Sequence, residues 1–142
     1  MKNIFIEGAI PIQSIMEVVQ KHSLKTEIGG HSIFLGQVRA DEKESKEVQT
    51  IEFTAHQEMA IKKMEQIREK IIAKYGLTCL HVCHSLGTVK TGEICLFAFT
   101  SSKHRKPAIE ACNELVERLK KELPVWGKEI YSDNSYHWKE NK

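Results

Sequence analysis

The sequence predicts an α+β fold in which helices pack on a mixed sheet. Predicted strands outnumber predicted helices and the two follow one another irregularly, which favours this class over a doubly wound parallel sheet. The chain has 142 residues, the size of one ordinary domain, and it contains no internal repeat and no linker. We therefore predict a single domain over residues 1–142.

The first half of the chain predicts three strands and two helices. A short strand over residues 4–6 precedes a helix that has Pro11 near its start and apolar positions at Ile12, Ile15, Met16 and Val19. Residues 31–39 predict a strand with a bulge or a close backbone approach at Gly36. Residues 40–47 carry no large apolar group and predict an exposed loop before a strand over residues 48–55. Thr54 and Gln57 have capping-box spacing, so a helix is predicted over residues 55–75, ended by Gly76.

The second half predicts three strands and one helix. Residues 80–84 alternate in polarity, and residues 94–99 are apolar on both faces, which is typical of a central strand. Pro107 fits the first turn of a helix that Pro124 ends, with apolar positions at Ile109, Cys112, Val116, Leu119 and Leu123. A last strand is predicted over residues 125–131.

Composition excludes several classes of protein. Lys and Arg number 21 against 19 Asp and Glu, so no overall positive field would recruit nucleic acid or an acidic membrane. The longest apolar run, over residues 94–99, is far shorter than a membrane helix needs, and Glu7 interrupts any signal-peptide core. We expect a cytoplasmic protein, whose four cysteines are free thiols in a reducing compartment.

Two basic clusters are candidate anion sites. Residues 101–107 place three permanent cations and His104 just before a predicted helix N-terminus, which indicates either a phosphate site or a solvated basic turn. His104 could also act as an acid or base. Lys120 borders the buried face of the same helix, so it is either a snorkelling lysine or a partly desolvated cation used in chemistry. Arg39 ends a strand beside the predicted loop, a common place for a substrate-facing side chain.

A zinc site is disfavoured. Cys79, His81, Cys83 and His84 have suggestive spacing, but a strand puts the first three in a row on one face, where tetrahedral wrapping is difficult. His56, inside the predicted capping sequence, is interpreted as structural.

Five ordered segments nevertheless match a known pattern, and together they are strongly specific. From Gly29 onward the sequence resembles the large, catalytic subunits of molybdopterin synthase. The matching segments are Gly30-x-x-x-Phe34-x-Gly36-x-Val38-Arg39, Glu58-Met59-Ala60, His84-x-x-Gly87 with Gly92-Glu93, Ser101-Ser102-x-His104-Arg105, and Leu119-Lys120-x-x-x-Pro124-x-Trp126-x-Lys128-Glu129.

The resemblance implies an α/β-hammerhead fold and a sulfurtransferase. A small ubiquitin-like subunit would carry a thiocarboxylate on its C-terminal Gly-Gly tail, and two such sulfurs would convert cyclic pyranopterin monophosphate into the dithiolene of molybdopterin. No metal and no resident cofactor are expected. The alternative is a non-catalytic binding module of the same fold that holds a ubiquitin-like tail.

The resemblance also implies the site residues. The substrate-binding residues are Gln37, Val38, Arg39, His104, Arg105, Lys120, Gly127, Lys128 and Glu129, with Phe34 in the pocket. Guanidinium groups suit a leaving phosphate, which makes Arg39 and Arg105 candidates for its stabilisation. Lys120 is the expected catalytic lysine, which would hold the thiocarboxylate tail, and His104 is a possible proton carrier.

One position departs from the family pattern. The family usually has a lysine directly after the tryptophan, whereas here Trp126 is followed by Gly127 and only then by Lys128. Neighbouring side chains of an extended segment face opposite ways, so Lys128 cannot simply replace the missing lysine. Either the site works with Lys120 and the two arginines, or the backbone freedom of Gly127 lets Lys128 turn inward.

The spacing of the two clusters predicts an assembly. His104 and Arg105 precede the helix that Lys120 nearly ends, and 15 residues of helix separate them by roughly 22 Å. If both clusters serve one compact substrate, the simplest arrangement is a two-fold homodimer in which the pair from one chain completes the Lys120 pocket of the other. With two small subunits bound, the assembly would be a heterotetramer.

Overall fold

The computed structural model describes residues 3–140 and has three helices and eight strands in that range. The helices are α1 (Ile12–His22), α2 (Gln57–Tyr75) and α3 (Arg105–Glu122). The strands are β1 (Phe5–Glu7), β2 (Gly30–Gln37), β3 (Glu42–Lys43), β4 (Lys46–Ala55), β5 (Cys79–Lys90), β6 (Ile94–Ser102), β7 (Val125–Tyr131) and β8 (Tyr136–Trp138).

The strands form one mixed sheet in the order β2-β6-β5-β4-β7-β8. Neighbours along this path are antiparallel, while β1 joins β5 in parallel and β3 pairs with β4. The long strand β5 pairs with β6 through its first half and with β4 through its last residues, so it connects the two ends of the sheet. The predicted α+β class is confirmed.

Both faces of the β2-β6-β5 region are covered by helices. On one face α2 and α3 bury Met64, Ile67 and Leu115 against strand residues such as Leu80 and Ala98. On the other face α1 packs Ile15 against Phe97 and Phe99. Strand β6 is buried almost throughout, and it lies between β2 and β5, which confirms the prediction of a central strand.

The N-terminal cap of α2 differs from the prediction. Thr54 is still part of β4, where it pairs with Trp126, so it is not available as a cap. His56 caps the helix instead, because its Nδ1 accepts a hydrogen bond from the Met59 N–H at 3.2 Å. Gly76 ends the helix in the left-handed conformation, φ 61°, as predicted.

Three residues predicted on buried helix faces are exposed. Ile12 and Met16 of α1 are 65% and 63% exposed, and Ile109 of α3 is 56% exposed. In α3 the small residues Ala108 and Ala111 are buried. The face of the helix that contacts the sheet is therefore rotated relative to the face predicted from the large apolar residues. In α1 only one narrow row, centred on Ile15, reaches the sheet.

The predicted loop over residues 40–47 is largely exposed, as expected, but β3 and the start of β4 form a short hairpin there. Glu44 and Ser45 both have positive φ, 52° and 65°, and make its turn. A second hairpin, β7–β8, was not predicted at all, and it carries the chain back across residues 127–130.

All four cysteines are free thiols, as predicted. Within residues 3–140, none of the helices has the length and apolar character that crossing a membrane would require.

Candidate active site

Two adjoining cavities lie where the C-terminal end of α3 meets the ends of β2 and β7. The narrow cavity, about 120 Å³, has an apolar wall that includes Phe53, Leu119 and Trp126. The wide cavity, about 630 Å³, is lined mainly by polar and charged side chains, including Arg39. Four residues line both cavities, so the cavities meet there: Gly36, Gln37, Lys120 and Lys139.

Lys120 stands at this junction because of its position on α3. It follows the buried Leu119 in the last turn of the helix, whose end is fixed by Leu123 and Pro124, and it is itself half-buried. Burial lowers the pKa of Lys120, and the positive charge of Lys139 lowers it further. Lys121, the next residue, is exposed to solvent.

The end of β2 brings Gln37 and Arg39 to the cavities. The strand has a register shift between Gly36 and Gln37, and a Cβ on Gly36 would lie 3.1 Å from the Leu96 Cβ, which explains the predicted close approach. Arg39 is largely exposed at the wide cavity, where it forms an ion pair of 3.3 Å with Asp41.

Val38 anchors this segment and does not face either cavity. Its side chain is 2% exposed in the core. Its N–H donates to the Glu93 carbonyl and its carbonyl accepts from the Gly92 N–H, so both backbone groups are used. Val38 therefore positions its two neighbours.

Strand β7 contributes Gly127 and Glu129 to the cavities but not Lys128. Gly127 lines the narrow cavity and the buried Glu129 lines the wide one, where it accepts from Lys43 Nζ at 3.0 Å. Lys128 lies on the opposite face of the strand, with its Nζ 4.1 Å from the centre of the Tyr136 ring. The alternative in which Lys128 turns inward is thus wrong, and Gly127 is not among the glycines of positive φ.

His104 and Arg105 are not brought to Lys120 within one chain. They lie at the N-terminal end of α3, and neither lines the two cavities. They flank the first residue of β2, since a Cβ on Gly30 would lie 3.1 Å from the Arg105 Cα. Phe34, further along the same strand, lines the wide cavity.

Sequence reasoning missed two polar residues of the site. Lys139 follows the unpredicted strand β8, so no sequence signal placed it near Lys120. The sequence marks His84 only as a possible metal ligand and as part of a matching segment, but the residue lines the narrow cavity. Its Nδ1–H donates to the Ser85 carbonyl at 2.7 Å, and burial lowers its pKa, with the charges of Lys120 and Lys139 adding to the effect. The Ser85 hydrogen bond requires a proton on Nδ1, and burial favours the neutral form of the ring.

The remaining Cys and His residues of β5 face elsewhere. Cys79 accepts a hydrogen bond from Lys25 Nζ at 3.0 Å, and His81 Nε2 lies 2.9 Å from His22 Nε2. Both pairs lie on the α1 side of the sheet, whereas His84 faces the narrow cavity.

The low pKa of Lys120 gives a direct test of this geometry. After reductive ¹³C-methylation, we expect the NMR titration midpoint of Lys120 to lie below that of free dimethyl-lysine under the same conditions. A Lys120→Met variant identifies its signal. Lys139→Met should raise the midpoint, because a like charge is removed. A Lys120 midpoint at or above that of free dimethyl-lysine would contradict the partly buried position next to Lys139.

Chemically, the site is suited to an anion held between cations at the junction of an apolar cleft and a polar one. An ammonium group with a lowered pKa can stabilise negative charge on a reacting carbonyl or phosphate.

Comparison with known proteins identifies the family. The family model described as MoaE protein matches residues 6–122. The molybdopterin synthase catalytic subunit of Pyrococcus abyssi is 38% identical over 108 residues, which is 76% of this chain and 72% of that protein.

Solved structures agree. The crystal structure of molybdopterin synthase from Staphylococcus aureus superposes with a TM-score of 0.84 at 29% identity, over 99% of this chain and 98% of that one. A chain from the complex of subunits 1 and 2 of the Helicobacter pylori molybdopterin-converting factor shares the fold, with a TM-score of 0.82 at 22% identity over 97% of this chain and 90% of that one. Since the family model spans most of the sequence, the chain belongs to the MoaE family.

Proposed function

We propose that this chain is the catalytic subunit of a molybdopterin synthase. It would transfer sulfur from the thiocarboxylated C-terminus of a small ubiquitin-like subunit to cyclic pyranopterin monophosphate. The observation that carries the proposal is the junction at Lys120, where a narrow apolar cleft and a wide charged cavity open onto one partly desolvated cation.

The two cavities fit the two reactants. A Gly-Gly tail has no side chains, so it can enter the narrow cavity and bring its terminal thiocarboxylate to Lys120. The wide cavity has room for a pterin, with Arg39 available to its phosphate. Both reactants are anionic, so their approach to each other needs the positive charge at the junction.

The first transfer can be written with its atoms balanced. The thiocarboxylate sulfur attacks a substrate carbon that carries an oxygen of the cyclic phosphate. A carbon–sulfur bond forms, that carbon–oxygen bond breaks, and the phosphate keeps the electron pair. The product is a thioester between substrate and tail, which water hydrolyses to a substrate thiol and a tail carboxylate. Lys120 stabilises the charge that develops on the thioester carbonyl. The sulfur comes from the partner, so this scheme uses no metal and no resident cofactor.

A homodimer is supported by the position of β2. This strand is at the edge of the sheet, with His104 and Arg105 beside its first residue and the Lys120 cavities at its last. Eight residues of strand span roughly 25 Å, close to the length of helix that separates the two clusters. Antiparallel apposition of two such edges about a two-fold axis would place the pair of one chain at the Lys120 cavities of the other.

The sheet face next to the β2 edge carries exposed apolar side chains suited to a dimer contact. Ile33 and Leu35 are 41% and 42% exposed on β2, on the sheet face that also carries Phe97 and Phe99. A small-subunit partner is consistent with the Helicobacter pylori relative in fold, which was solved as a complex of two subunits. We place the resulting heterotetramer in the cytoplasm.

Single-turnover conversion tests the proposal. The chain is mixed with a thiocarboxylated small subunit and cyclic pyranopterin monophosphate, and the dithiolene product is followed with time. We expect conversion only when all three are present. Tight binding of the small subunit without any conversion would favour the alternative, a binding module that holds the tail.

A further inference from the structure

Lys139 reaches the site through the β7–β8 hairpin. Strand β8 pairs Trp138 with Lys128 and His137 with Glu129, and one residue further the Lys139 N–H donates to the Gly127 carbonyl at 2.8 Å. Because side chains alternate along strands, Lys139 shares the face of Gly127 and Glu129, which is the face of the cavities. Its side chain lines both cavities together with Lys120.

Position 127 has little room for a cation of its own. A Cβ on Gly127 would lie 3.1 Å from Ile51 Cγ2 and 3.3 Å from Phe53 Cε1, which is tighter than ordinary packing. Its neighbour Lys128 faces the other way, over the Tyr136 ring. Neither residue 127 nor residue 128 of β7 thus supplies a cation to the cavities, whereas β8 leads to Lys139, which lines both.

Two other cations of the wide cavity are paired with carboxylates. Arg39 pairs with Asp41 and Lys43 pairs with Glu129. No salt bridge involves Lys139 within residues 3–140. Lys139 is instead close enough to Lys120 for the two like charges to interact unfavourably. An anion bound between the two ammonium groups would interact favourably with both and offset this repulsion.

We propose that Lys139 is the second substrate-binding cation of the site, and that it holds the anionic reactant at the cavity junction together with Lys120. This inference rests on the proposed function and specifies one more residue of it. Lys139 provides the positive charge near Gly127 that neither Gly127 nor Lys128 supplies to the cavities. The C-terminal hairpin is thus part of the active site and not only an edge of the sheet.

The test is single-turnover conversion by Lys139→Met, with Lys139→Arg as the conservative variant and Lys121→Met as the matched control. Lys121 lies next to Lys120 in sequence but is exposed and lines neither cavity. We expect Lys139→Met to lose roughly tenfold to a hundredfold in rate at limiting pterin. We expect Lys139→Arg to keep most of the rate and Lys121→Met to match the unmodified chain. Lys139→Arg and Lys121→Met should keep the unfolding temperature of the unmodified chain, because both positions are exposed. Lys139→Met should keep it or raise it slightly, because a like charge near Lys120 is removed.

The outcomes separate the two proposals. Conversion by the unmodified chain together with undiminished conversion by Lys139→Met would overturn the role of Lys139 and leave the proposed function standing. Equal losses in Lys139→Met and Lys121→Met would also overturn it, since they would indicate a general charge effect. No conversion by the unmodified chain would overturn the proposed function and with it the inference.

Discussion

Replacement of Lys120 by alanine is expected to lower the single-turnover rate of sulfur transfer by at least about a hundredfold. Lys120 is the half-buried cation at the junction of the two cavities, where both anionic reactants must meet. Its charge is partly removed from water, so it acts on a developing negative charge more strongly than a solvated lysine would. No neighbouring group at the end of α3 can move into the same place, because Lys121 points to solvent.

The fold should survive this change. Lys120 is only half-buried at the end of the helix, whereas Leu119 beside it is buried in the core. We therefore expect the unfolding temperature of Lys120→Ala to stay close to that of the unmodified chain. Lys121→Ala is the control and should retain the full rate. A Lys120→Ala variant with near-normal turnover would remove this lysine from the mechanism.

Sequence periodicity was sufficient to predict most of the fold, because long amphipathic segments bury one face whatever their partners. The end of α2 before Gly76 and the central position of β6 were predictable, whereas α2 begins two residues later than predicted because pairing with β7 keeps Thr54 and Ala55 in β4. The errors occur where side-chain size misleads, as with Ile109, whose expected place is taken by two alanines. They also occur where pairing stabilises a polar segment, as in the two hairpins around β3 and β8.

The candidate site was predictable only in part, since the residues that line its two cavities come from six separate stretches of the chain. Lys120 was recognisable because it borders an apolar helical face, and Arg39 because it follows a strand. Lys139 was not, since its position depends on the pairing of β8 with β7, and the sequence of β8 contains no strong strand signal. Val38 is the opposite case, since it was predicted to bind substrate but is buried in the core. It serves only to position Gln37 and Arg39.

A mixture of two inactive variants is expected to regain activity if the pocket is shared between chains. Arg105→Ala should be inactive because a phosphate loses its guanidinium partner, and Lys120→Ala because the junction loses its cation. In a two-fold dimer, each pocket combines Lys120 of one chain with Arg105 of the other. A mixed dimer therefore has one pocket with both groups intact and one pocket that lacks both.

Equal mixing with free exchange makes half of the dimers mixed, and half of their pockets are intact, so about a quarter of full activity should return. Native mass spectrometry, with one chain isotope-labelled, measures the fraction of mixed dimers in the same samples used for single-turnover assays.

Mixing Lys120→Ala with Lys139→Met gives the matched control, because both residues line the same cavities of one chain. That mixture should be no more active than the two variants assayed separately. Each pocket takes both lysines from a single chain, so no mixed dimer has an intact pocket. Mixed dimers of Arg105→Ala and Lys120→Ala that stay inactive would show that the pair at the start of α3 does not complete the Lys120 pocket across the two-fold axis.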